Sequence, residues 1–182
     1  MNNENEEQLI KILKEEAGDD LLTHISGTVI NPGKISCCIG EFKHNGTIGS
    51  VYGFVIRLSK KEKINFLKSL ENQTKITPLP SEEAKNGQAF SLKKNIDLTK
   101  WNPISKTSNL YPLYWGCSKW LGYRVVEHTK SNIKVGSIWL FGIDALRDKE
   151  VYFATIECNN YTDHEKSLHR EHNDILKNFS NK

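Results

Sequence analysis

The chain has 182 residues, enough for one domain that buries a core of its own. Its apolar share of 37% is ordinary, and no run reaches the roughly 20 apolar residues of a membrane span. Net charge is only +3 with a pI near 8.6, so a strongly cationic nucleic-acid-binding chain is excluded by the total, though not by its distribution.

Acid is concentrated at the start, in Glu4, Glu6, Glu7, Glu15, Glu16, Asp19 and Asp20, and the remainder without that segment is basic. The opening Met-Asn-Asn-Glu-Asn-Glu-Glu is polar and unlike a secretory leader, which predicts a cytoplasmic protein with no membrane attachment. Cys37, Cys38, Cys117 and Cys158 show no Cys-x-x-Cys spacing and read as reduced, partly buried thiols.

In chain order, residues 5–16 read as an amphipathic helix with Leu9, Ile10, Ile12 and Leu13 on its apolar side and Gly18 as its stop. Gly27 to Phe42 reads as a strand-rich hairpin turning at Asn31-Pro32-Gly33. Ser50 to Leu58 is a strand. Ser59 and Glu62 then form a capping box, opening a helix with Ile64, Leu67 and Leu70 at helical spacing. Residues 74–111, rich in Pro, Asn, Lys and Ser, read as an elaborated loop with short strands around Ala89 to Leu92.

A strand then delivers Tyr114 and Gly116, and a helix is expected to open at once, carrying Trp120, Arg124 and His128 on one face. Ser137–Phe141 and Val151–Cys158 are further strands, and a last helix is expected from Thr162 to about Asn178. The fold class is α/β of the α+β kind: a small mixed sheet of about three core strands flanked by helices. One domain spans 1–182, with an N-terminal extension over 1–49 and a core over 50–181 that contains an insertion at about 59–110.

Val51-Tyr52-Gly53-Phe54 in one strand, with Tyr114, Gly116, Ser118, Lys119, Arg124 and His128 around a second, resembles the GIY-YIG nuclease superfamily, most closely its small stand-alone restriction enzymes. The resemblance covers roughly residues 50–181. It implies phosphodiester hydrolysis of double-stranded DNA with one Mg²⁺ or Mn²⁺ per active site. By it, Tyr52 activates the attacking water, Tyr114 orients water or phosphate, and Gly116 and Lys119 lie beside the phosphate. Arg124 would grip two phosphate oxygens with its planar fork, and His128 would donate to phosphate or water.

The resemblance also implies a metal-binding glutamate at the start of a later helix, for which Glu165 and Glu171 compete. The packing stripe of Leu168, His172, Ile175, Leu176 and Phe179 has Glu165 near its centre and Glu171 roughly 80° aside. Glu165 therefore reads either as the metal ligand or as the capping-box partner of Thr162. Asn178 and Asn181 are both available as the asparagine that follows it. His164, Glu165 and His169 mimic a zinc protease motif, but histidines five apart point roughly 140° from each other and cannot share an ion.

Three features depart from the resemblance. Some sixty residues separate the tyrosine strands, the usual lysine after the second glycine is Cys117, and the first forty-odd residues lie outside the core. The insertion and the extension are the candidates for reading DNA sequence or forming a homodimer, which would supply two sites for two strands. The alternative is a non-catalytic nucleic-acid-binding module on the same fold.

Overall fold

The computed structural model describes residues 4–30, 49–72, 100–105, 107–119, 128, 140, 144–146 and 149–172. Among these are three helices, α1 (Glu4–Ala17), α2 (Lys60–Asn72) and α3 (Tyr161–Glu171), and four strands, β1 (Leu21–Ile30), β2 (Ser50–Arg57), β3 (Leu110–Ser118) and β4 (Val151–Cys158). The strands form one sheet in the order β1-β4-β2-β3, and every pairing is antiparallel. The sheet thus has four strands rather than about three and is not mixed. The fourth arises because Leu21–Ile30 pairs with β4 from Leu21↔Cys158 to Ile30↔Val151, where only the end of that segment was expected to be extended.

Local chemistry sets the boundaries. Gly18 adopts φ +51°, the left-handed conformation that stops α1 where expected. At α2 the capping box is reciprocal: the Glu62 amide donates to Ser59 Oγ at 3.3 Å, and the Ser59 amide donates to Glu62 Oε2 at 2.9 Å. The buried stripe of α2 is Phe66 and Leu70, one helical turn apart, while Ile64 is 54% exposed. Leu140, within the expected strand 137–141, lies in a 3-10 turn. The remainder of that strand, the turn at 31–33, the strands near 89–92 and the helix end beyond His172 lie outside the described residues.

Each face of the sheet buries a separate core. On one, Tyr52, Phe54, Ile56, Tyr114 and Phe153 meet Phe66 and Leu70 of α2, together with Trp101, Leu140 and Leu146. On the other, Val51, Val55, Trp115, Ala154 and Ile156 meet Leu9, Leu13 and Ala17 of α1 and Leu168 of α3. A helix–sheet–helix sandwich results.

The pairing of β2 with β3 brings the two tyrosine strands together across the long insertion. Tyr52 stands opposite Gly116, and Phe54 opposite Tyr114. Leu113 is then passed over, so that Val55 faces Pro112. Such a bulge reverses which side chains point to which face beyond it. It leaves Leu113 and Tyr114 in the same core and aims Tyr114 and Gly116 at the face that carries Tyr52. Pro112 is accommodated because β3 is terminal among the described strands of the sheet, and its carbonyl accepts the Trp101 indole N–H at 2.7 Å.

Candidate active site

Two adjacent rungs of the β2–β3 ladder pair an aromatic ring with a glycine, one on each face. A Cβ on Gly116 would lie 2.5 Å from the Tyr52 hydroxyl and 2.6 Å from Tyr114 Cε1, and one on Gly53 would lie 2.4 Å from the Trp115 ring. Real Cβ atoms do not approach that closely. Glycine at 116 is what lets the two phenols lie over the strand.

Over that gap the Tyr52 hydroxyl and His128 Nε2 are 2.8 Å apart, a buried hydrogen bond between residues distant in the chain. His128 sits in a helical turn. Its ring centroid is 4.7 Å from that of Tyr114 and 5.7 Å from that of Tyr52, and the two tyrosine rings are 6.0 Å apart. Tyr52 is 1% exposed, His128 0% and Tyr114 6%. With Nδ1 carrying the imidazole proton, Nε2 accepts from the phenol, an arrangement that can draw the proton off the hydroxyl. The structure therefore brings Tyr52, Tyr114, Gly116 and His128 together, with His128 on the phenol rather than free to meet a phosphate directly.

Glu165 comes to the same end of β3 from the opposite face. Its Oε1 accepts the Cys117 amide N–H at 3.0 Å, and its Oε2 accepts the Cys117 thiol at 2.9 Å. His169, one turn further along α3, holds Nε2 3.9 Å from Oε1. Burial pushes the Glu165 carboxyl up, but His169 and the two Cys117 donors outweigh it, so the group is held below its ordinary value of 4.5. The carboxylate is thus ionised although its side chain is only 26% exposed.

The capping-box alternative for Glu165 does not form. Helix α3 begins at Tyr161, its N-cap is Asn160 at φ 51°, and Thr162 already lies inside the first turn. The neighbouring His164 turns elsewhere: Nε2 lies 2.9 Å from Asp20 and Nδ1 3.4 Å from Glu16, tying α3 to the end of α1. Of the proposed packing stripe, Leu168 is fully buried and the His172 ring packs 5.5 Å from that of Trp115. Glu171 is exposed and engaged with Ser167.

Lys119 is exposed just past β3, which runs on to Ser118, so no helix opens directly after Gly116. Arg124, Trp120, Asn178 and Asn181 lie outside the described residues. Sequence reasoning missed Cys117 and His169 as partners of Glu165. The available signals were the position of Cys117 next to Gly116 and the one-turn spacing of Glu165 and His169.

Among the described residues no group of three or more His, Cys, Asp or Glu side chains is arranged to hold a metal ion. The carboxylate of Glu165 is a poor fit for a hard cation shared with the phenols, because it stands on the other face of the sheet and already accepts from Cys117 and His169. A cavity of ≈ 660 Å³ between α1, α3 and residues 104, 105 and 107 has Glu15, Glu16 and Glu171 against Lys11 and His172 in its lining, more acid than base. Searches for similar proteins returned nothing: no family model, curated protein or solved structure matches the sequence.

Proposed function

We infer that the protein is a Mg²⁺-dependent DNA endonuclease resembling the small GIY-YIG restriction enzymes. The observation that carries this reading is the Tyr52–His128 hydrogen bond beside Tyr114, built over the gap at Gly116. Pairing of the two tyrosine strands across the insertion supports it.

In the mechanism, His128 accepts the Tyr52 proton, and the phenolate oxygen takes a proton from the attacking water. Tyr114 orients that water or the phosphate. The permanent charge of Arg124 balances the charge that builds on the phosphorus oxygens. By the resemblance Glu165 would hold the cation, which would supply Lewis-acid stabilisation to the phosphate; in this structure its carboxylate is engaged with Cys117 and His169 on the other face of the sheet from the phenols. Double-stranded DNA is the substrate, gripped at its phosphates by Lys and Arg and read by the N-terminal segment and the insertion. A cytoplasmic homodimer fits cutting of both strands. No described helix is long and apolar enough to cross a membrane.

One observation favours a second reading, a module that binds nucleic acid without cutting it: Tyr52 and His128 are almost fully buried, as a purely structural pair would be. Incubation with plasmid and mixed duplex DNA in Mg²⁺ or Mn²⁺ separates the two. Nicking or linearisation is expected, falling about 10²–10⁴-fold in Tyr52→Phe and His128→Ala, the range for loss of a general base. Salt-dependent DNA binding without cleavage by folded wild type establishes the second reading, and absence of binding removes both.

A further inference from the structure

We propose that Glu157 and Ser50 form a divalent-cation site on the face of the sheet that carries the phenols. The proposal deepens the nuclease reading and rests on it for the kind of ion.

That reading needs a carboxylate on the side of Tyr52, Tyr114 and His128, and Glu165 stands on the other. Strand alternation supplies a different one. In β4, Ala154, Ile156 and Cys158 belong to the core against α1 and α3, while Val151 and Phe153 belong to the core that holds the phenols. Thr155 and Glu157 continue this second set. The register agrees. Tyr52 pairs with Gly116 on one flank and Thr155 on the other, and at the next rung on that face Ser50 pairs with Ser118 and Glu157. Directly opposed residues keep their side chains on one face, with Cβ atoms roughly 4.5–5.5 Å apart. Ser118, Ser50 and Glu157 therefore make a row of oxygen-bearing side chains beside the rung of Tyr52.

Two observations point to an occupant. Ser50 has no exposure, and its hydroxyl oxygen has no hydrogen-bond partner. A buried orphan of this kind calls for a water or an ion. Thr155, equally buried, is satisfied by donating to the Val51 carbonyl at 3.3 Å. Glu157, half-buried at the end of the row, meets no basic partner among the described residues. A water would serve the hydroxyl but leave the carboxylate charge unbalanced. A hard cation answers both, because it takes carboxylate and neutral oxygens together and completes its shell with water.

Mn²⁺ added to the full chain tests this. Loss of a group that merely supports a metal ligand costs about 10–100-fold in affinity, and loss of a ligand should cost no less. Binding, followed by the electron paramagnetic resonance of free Mn²⁺, should therefore weaken about 10-fold or more in Glu157→Gln. It should also weaken in Ser50→Ala and hold in Glu165→Gln, with circular dichroism confirming that each variant is folded. A second measurement needs only the wild type. Trace Mn²⁺ should broaden the imidazole resonances of His128, on the phenol face, more than those of His172, which packs on Trp115 beneath the opposite face. Undiminished binding in Glu157→Gln or Ser50→Ala overturns the proposal, as does stronger broadening of His172 or a wild type that binds no Mn²⁺. Mg²⁺-dependent DNA cleavage that survives in Glu157→Gln removes this site and leaves the nuclease reading standing. Binding lost in Glu157→Gln, from a wild type that cuts no DNA, does the reverse.

Discussion

At the scale of single residues, the two aromatic–glycine rungs make opposite faces equally intolerant of added bulk. Gly116→Ala drives a methyl group into the Tyr52 hydroxyl, and Gly53→Ala drives one into the Trp115 ring. Each should cost about 1–3 kcal/mol, the usual range for overpacking, read as a drop in urea midpoint. Their effects should differ in kind, because Gly116→Ala displaces the partner of His128 while Gly53→Ala leaves that hydrogen bond alone. Tyr52, Tyr114 and Gly116 were legible in the sequence because strand alternation and a tight motif are local. The grip of Cys117 on Glu165 was not. It depends on the passed-over Leu113, which decides the face of every later residue in β3, and the only advance sign of that bulge was Pro112 inside a strand.

At the scale of elements, the two helix starts with the same capping pattern behave differently. Ser59–Glu62 forms the box, and hydrogen bonds from the Ser59 amide and hydroxyl, then from Lys149, bring Glu62 down to about 2 from 4.5. A depressed carboxyl stabilises the folded state fully above its unfolded value and loses that contribution as pH falls through the folded one. Protection of the first-turn amides of α2 should therefore decline between pH 4.5 and about 2, and Ser59→Ala should cost about 1 kcal/mol at neutral pH. Amide hydrogen exchange measures both.

Thr162–Glu165 has the equivalent hydroxyl–glutamate spacing but forms no box, because Asn160 takes up the left-handed conformation and begins α3 one residue early. Glu165 then finds its donors on β3. The local pattern predicted the start of a helix correctly, and a tertiary contact chose the partner of its acid. In α2 likewise, spacing gave the helix, but Phe66 rather than Ile64 shares the buried turn with Leu70.

Over the whole molecule, hydrophobic pattern gave the α+β class and most elements, and it undercounted the sheet. Leu21-Leu22-Thr23-His24 carries little apolar alternation, and its strand exists because β4 offers an edge to pair with. Tertiary pairing here outweighs a weak local signal. In the core on the α1–α3 face, Leu13→Ala, at a site with no exposure, should cost about 2–5 kcal/mol. Ile64→Ala, at a half-exposed site, should stay within about 0.5 kcal/mol. Paired denaturation curves give the comparison.

The connectivity of the sheet also bears on how the chain is made. Among the described strands that pair, the shortest closure, Arg57 with Leu110, encloses about fifty residues, and the longest brings Leu21 to Cys158. During synthesis no two of the described strands can zip together as a simple hairpin. β2, buried on both faces in the finished protein, must wait on the ribosome for β3 on one flank and β4 on the other. Folding should therefore lie at the slow, high-contact-order end of the range, milliseconds to seconds. Nascent chains halted before Val151 should bind general chaperones, and those extended past the last strand should be released.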